Sequence, residues 1–196
     1  PSLPSALDRL AKAACKPYHG SDELPPFLRN IGLKGRLVEP SLKAWSEPET
    51  GLVVRGFLDE CLEVKGQGFA PLDHKTRGSK AERINAAYYV QLDVYALMLA
   101  GNDRPLLYEG YLIYYIPSPP WNPDHELPFS VDLRRIRINP KRAQLLVKKA
   151  RQVLDLTQPP QSSLRCDYCR WVTEARALEE ELNEETVQRG DDGEEL

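Results

Sequence analysis

Between Glu82 and Ala100 the chain runs for 19 mostly apolar residues (ERINAAYYVQLDVYALMLA) without glycine or proline, and it stops at Gly101. That pattern predicts a well-buried helix with a glycine stop. The segments around it read as strands. Gly51 to Val64 (GLVVRGFLDECLEV) is apolar and β-branched with charged interruptions, Lys65-Gly66-Gln67-Gly68 supplies turn residues, and Phe69 to Thr76 (FAPLDHKT) is again extended, which together predict a β-hairpin. Beyond the helix, Leu106 to Ile116 is aromatic and β-branched and Phe129 to Ile138 alternates, so both read as strands. Asn139-Pro140 offers an N-cap and a first-turn proline for a helix to about Leu156.

Upstream, Leu7, Leu10, Ala11 and Ala14 fall at helical spacing and predict a short amphipathic helix from Ala6 to Ala14. Tyr18 to Pro48 is broken repeatedly by glycine and proline and reads as loop with short helical pieces, one near Leu42 to Ser46 that would bury Trp45. The order helix, hairpin, helix, strand, strand, helix describes an α/β domain with a mixed sheet. With 196 residues, 41% of them apolar, the chain can bury a real core but is too short for a two-domain motor, synthetase or polymerase.

The formal net charge of −3 at first argues against a polyanionic partner. Its distribution removes the objection. Glu174 to Leu196 holds ten acids and two bases, a net −8, which leaves 24 bases and 19 acids, a net +5, on Pro1 to Thr173. The acidic block reads as a solvated helix end or a disordered tail, with a partner protein as its other use. No stretch has the roughly 20 apolar residues of a membrane-spanning helix, and the N-terminus lacks a basic segment followed by an apolar one, so a soluble, cytoplasmic protein is expected. The chain starts at Pro1 rather than Met, which points to processing or trimming. Four cysteines (Cys15, Cys61, Cys166, Cys169) do not make a secreted disulfide framework.

Three local features carry chemistry. Asp59 is expected near the end of the first hairpin strand, in Gly56-Phe57-Leu58-Asp59. On the second strand, in Asp73-His74-Lys75, side chains alternate, so Asp73 and Lys75 point the same way about 7 Å apart while His74 points away. Two carboxylates converging with a lysine make a site for a hard divalent cation beside a positive group. Gln91 and Tyr95, four apart on the apolar helix, project together from one face.

Gly56-Phe57-Leu58-Asp59, Pro71-Leu72-Asp73-His74-Lys75-Thr76 and Gln91-Leu92-Asp93-Val94-Tyr95, in that order, resemble the PD-(D/E)XK nuclease superfamily and in particular its RecB-type exonuclease branch. The resemblance runs from about Gly51 to Trp171. It implies a restriction-endonuclease-like core, a central mixed sheet flanked by helices, and a Mg²⁺- or Mn²⁺-dependent DNA nuclease, an exonuclease serving repair, recombination or phage- and CRISPR-related processing. Asp59, Asp73 and the carbonyl oxygen of His74 would hold the metal, Lys75 would orient the attacking water, and Gln91 and Tyr95 would position the site. Arg77 and Lys80, which leave the second strand, are the expected DNA backbone contacts. The alternative is a catalytically weak nucleic-acid-binding module on the same fold, although two converging acids repel phosphate and serve no such module.

Many members of the branch add an upstream His or Glu. His19 and Glu39 are the candidates here, and neither has context enough for a role. Iron–sulfur members use one N-terminal and three C-terminal cysteines, whereas this chain has Cys15 upstream, only Cys166 and Cys169 downstream, and Cys61 on the hairpin, which argues against a cluster. Zinc at Cys166 and Cys169 with Cys15 and His19 is conceivable. The favoured reading is two reduced cysteines packing a C-terminal turn beside Trp171. Glu60 and Glu63 are expected to face solvent. The domain reading is 1–50 as an N-terminal segment packing on the core, 51–173 as the nuclease core and 174–196 as the acidic tail.

Overall fold

A computed structural model of the chain describes residues 2–80, 82–119, 127–163 and 165–191, with side chains as far as Asn183. Glu184 and the acids that follow it lie outside the described side chains. The chain divides into two compact units, Pro1–Gln152 and Val153–Leu196.

The first unit opens with α1 (Leu3–Cys15), a 3₁₀ turn at Lys16–Tyr18 and α2 (Pro26–Asn30). The strands β1 (Arg36–Val38), β2 (Trp45–Ser46), β3 (Val53–Val54), β4 (Glu60–Val64) and β5 (Gly68–Thr76) follow. Then come α3 (Ala86–Gly101), β6 (Glu109–Pro117), β7 (Phe129–Arg137) and α4 (Pro140–Leu154). Five strands form one mixed sheet in the order β1-β4-β5-β6-β7. All neighbours are antiparallel except β5 and β6, which are parallel. A parallel pair needs a crossover, and α3 is that crossover.

The sheet buries both faces. Leu37, Leu62, Leu72, Tyr111 and Ile113 pack with Cys15, Leu24 and Leu28 from the α1 and α2 side. On the other face Leu112, Tyr114, Ile116 and Ile136 pack with Leu92 and Ala96 of α3. Asn85 caps α3 by accepting the Ala87 N–H at 2.9 Å. Asp93 is fully buried in α3 and ties it to α4, accepting the Asn139 N–H at 2.7 Å and pairing with the Arg142 guanidinium.

Two expectations need correction. Gly51 to Val64 is not one strand: Val53–Val54 pairs with Trp45–Ser46 in a separate two-stranded sheet, and the main-sheet strand begins only at Glu60. Gly56 lies between the pieces where the chain crosses α3, and a Cβ there would come within 3.2 Å of Met98 Sδ and 3.3 Å of Tyr95 Cε1. The helical piece near Leu42 to Ser46 is instead the short strand β2, and its Trp45 is half-buried. In the second unit, α5 (Asp167–Asp191) carries the backbone of the acidic run as far as Asp191.

Candidate active site

Asp73 and Lys75 lie on the α3 face of β5, and the Lys75 ammonium touches Asp73 Oδ2. Asp73 Oδ1 accepts from Gln91 Nε2 at 2.9 Å, and the same amide donates to the Tyr95 hydroxyl oxygen at 3.0 Å. The i, i+4 spacing on α3 thus delivers an amide and a phenol as one unit to the end of β5. Asp59 enters from the bend ahead of β4 rather than from a strand. Its Oδ2 accepts the backbone N–H of His74 at 2.9 Å and its Oδ1 holds Lys12 Nζ at 2.7 Å.

Strand length explains that arrangement. The β4–β5 ladder ends at Glu60 opposite Leu72, so the His74 N–H has no strand partner and Asp59 takes it. In an extended strand the carbonyl of a residue points to the same edge as its N–H, which sets the His74 oxygen beside Asp59.

Asp73 is 1% exposed. Burial, opposed by Lys75 and reinforced by the charge of Asp59, pushes its carboxyl up to about 6. Beyond its touch with Lys75, Oδ2 has no hydrogen-bond donor. A cation between the two acids would relieve both their repulsion and the desolvation of Asp73. Two carboxylates and a carbonyl are hard oxygen donors, the set that suits Mg²⁺ or Mn²⁺. Burial also raises the Tyr95 hydroxyl, with Gln91 opposing and the charges of Asp73 and Asp59 adding, so the phenol keeps its proton.

A family model for the PD-(D/E)XK nuclease superfamily matches residues 3–173. The chain belongs to that superfamily. Its five-stranded mixed sheet flanked by helices is the restriction-endonuclease-like architecture expected of such a nuclease. Among curated proteins none matches the chain. A solved structure described as the crystal structure of SSO0001 is similar at 16% identity and a TM-score of 0.45, with 87% of this chain and 67% of that one covered.

Lys12 of this nuclease escaped the sequence reading. Asp8, Lys12 and Cys15 share one stripe of α1 at helical spacing, and Lys12 pairs with Asp8 at 2.8 Å as well as with Asp59. That stripe was the available signal, but it names no partner. Arg77 leaves β5 half-buried with its guanidinium 5.6 Å from the Tyr114 ring centroid, and Lys80 is exposed. Lys75 Nζ also lies 5.0 Å from the ring centroid of Tyr88.

Outside the acid pair, Glu60 and Glu63 are less exposed than expected. Glu60 does not face solvent: its place opposite Leu72 turns it into the α1 and α2 side, where it is 1% exposed and 2.5 Å from His19 Nε2. Glu63 is half-buried and paired with Arg36 at 2.7 Å. His19 bonds Glu60 rather than Asp59 or Asp73, while Glu39 is exposed and 3.7 Å from His19 Nδ1. Cys61 is buried on the α3 side with Leu58 and Leu99, 3.4 Å from Arg104 Nη1. In the second unit Cys166 and Cys169 are free thiols, and Trp171 is 62% exposed with its ring against Tyr168. The Cys169 backbone N–H, and then its thiol, hold Cys166 below its ordinary value. Among the described residues no helix is long and apolar enough to cross a membrane.

Proposed function

We propose that the chain is a divalent-metal-dependent deoxyribonuclease of the RecB-type branch, acting as an exonuclease in repair, recombination or phage- and CRISPR-related DNA processing. The observation that carries this reading is the convergence of Asp59 and Asp73 at the end of β5, with Lys75 against one acid and the Gln91–Tyr95 pair behind it. The order and spacing of those residues support the branch.

Asp59, Asp73 and the His74 carbonyl would hold Mg²⁺ or Mn²⁺, which would supply a Lewis acid for the scissile phosphate and acidify water. The chain's own residues do the positioning. Gln91 fixes Asp73 through Oδ1 and leaves Oδ2 to face the site. The Lys75 ammonium, held by Asp73 and Tyr88, would orient the attacking water and offset charge that develops on the phosphate. Arg77 and Lys80 would hold the DNA backbone as it passes the end of β5. The basic balance of Pro1 to Thr173 suits that partner, and the acidic tail remains available to a protein.

The test is digestion of linear and circular DNA, single- and double-stranded, with Mg²⁺, Mn²⁺ or chelator. Degradation of linear but not circular substrate, lost with chelator and in Lys75→Ala, is the expected result. No digestion by the wild type with either metal would overturn the catalytic reading.

A further inference from the structure

On the sheet face away from the acids and Lys75, three buried donors of different kinds converge. Cys15 Sγ comes from the end of α1, a Glu60 carboxylate oxygen from the start of β4 and His74 Nε2 from β5, all within 4.8 Å of one another. Cys15 is 0%, Glu60 1% and His74 5% exposed.

Their spacing is loose for a hydrogen-bonded group. Sγ to Nε2 is 3.9 Å, the far edge of a sulfur hydrogen bond, and Nε2 to Glu60 Oε1 is 3.7 Å, beyond one. Ligands at ordinary Zn–S, Zn–N and Zn–O distances on a tetrahedral ion stand about 3.3–3.6 Å apart, so the two pairs that include His74 need to close by only a few tenths of an ångström, and Cys15 Sγ and the Glu60 carboxylate already lie within 4.8 Å. Thiolate, imidazole and carboxylate together select a borderline-soft cation over Mg²⁺.

The outer contacts suit coordination as well. The Tyr115 hydroxyl lies 3.0 Å from His74 Nδ1, and with the ring hydrogen donated there, Nε2 turns its lone pair toward Cys15 and Glu60. His19 Nε2 sits 2.5 Å from Glu60 Oε2, which fixes the carboxylate and leaves Oε1 to face His74. Around them pack Leu28, Leu37, Leu62 and Leu72, an apolar wall in which a carboxylate gains from a nearby cation.

We propose that Cys15, Glu60 and His74 form a second metal site, with three protein ligands for Zn²⁺, separate from the acid pair on the opposite face. Binding replaces the thiol proton of Cys15 with the metal and releases that proton to solvent, with no redox change. The ion clamps α1 to β4 and β5, and it fixes through its side chain the same His74 whose backbone lies beside Asp59. The proposal does not depend on the nuclease reading.

Co²⁺ serves as the probe, because a thiolate ligand gives it a charge-transfer band that oxygen ligands do not. The full chain carrying Cys166→Ser and Cys169→Ser, reduced and freed of metal, is titrated anaerobically. A thiolate band that saturates at one Co²⁺ per chain, apart from any Co²⁺ on the acid pair, is expected, retained in Asp73→Asn, lost in Cys15→Ser, and displaced by Zn²⁺. Were Cys15→Ser not to fold, His74→Gln gives the same answer through a loss of about tenfold or more in Co²⁺ affinity. Absence of the band before any change to Cys15, or its persistence in Cys15→Ser, overturns the proposal.

Discussion

The carboxylate of Asp59 accepts the backbone N–H of His74 at 2.9 Å, so one side chain both closes the edge of β5 that β4 leaves open and brings its charge to Asp73. The two roles separate by substitution. Asp59→Asn keeps an oxygen for the N–H and removes the charge, whereas Asp59→Ala removes both. Both variants should lose about 100-fold or more of Mg²⁺-dependent cleavage, the scale seen when a charge-stabilising group is deleted. Only the alanine variant should lose hydrogen-exchange protection at the His74 amide. Equal protection in the two would mean that Asp59 does not hold the strand end.

Asp73 makes the metal-free protein pH-sensitive. Its carboxyl is raised from the ordinary 3.8 to about 6 by burial and by Asp59, with Lys75 opposing. The folded state therefore binds this proton more tightly than the unfolded chain, and its contribution to stability falls as pH rises from about 4 through about 6. Urea midpoints taken with chelator across that window should decline with pH. Asp73→Asn should flatten the decline, and saturating Mn²⁺ should restore stability at the upper end through binding to the ionised form. A decline of the same slope in Asp73→Asn would assign the effect to another group.

The parts of this design that were legible from sequence are those with local pattern. α3 announced itself by 16 residues of helix between Asn85 and Asn102, and β6 and β7 by nine-residue strands. β1, β2 and β3 were not legible, because two or three residues cannot display alternation, and the partner of β1 lies far along the chain, with Arg36 opposite Glu63. The β-branched content of Gly51 to Val64 masked the break at Gly56, so Asp59 was placed in a strand when it lies in a bend. The Asp73 and Lys75 directions followed from strand period alone. The Lys12–Asp59 ion pair and the meeting of Cys15, Glu60 and His74 join separate elements, and the spacing of Lys12 and Cys15 on α1 does not name their partners.

The end of α3 is tuned to one indole. A Cβ added at Gly101 would stand 2.2 Å from Trp45 Cδ1 and 3.0 Å from its Nε1. Gly101→Ala should therefore cost about 1–3 kcal/mol, the range for overpacking, despite the better helix propensity of alanine. Chemical denaturation followed by tryptophan fluorescence measures it. In a Trp45→Val background the same substitution should be neutral or stabilising, and an undiminished cost there would locate the strain elsewhere.

Lys12 poses the sharpest question about the acid pair. Its ammonium occupies Asp59 Oδ1 at 2.7 Å, so an incoming divalent cation shares or displaces a positive charge already in place. The side chain is 40% exposed and also paired with Asp8, which limits what the contact is worth. Exposed ion pairs contribute about 0.2–1 kcal/mol, so Lys12→Ala should tighten Mn²⁺ binding by about 1.5- to 5-fold in calorimetry if the ammonium competes with the metal. Lys12→Arg keeps the charge and should leave affinity near wild type. Weaker binding in Lys12→Ala would show instead that the lysine aims Asp59 at the metal, and that positioning outweighs repulsion between the two cations.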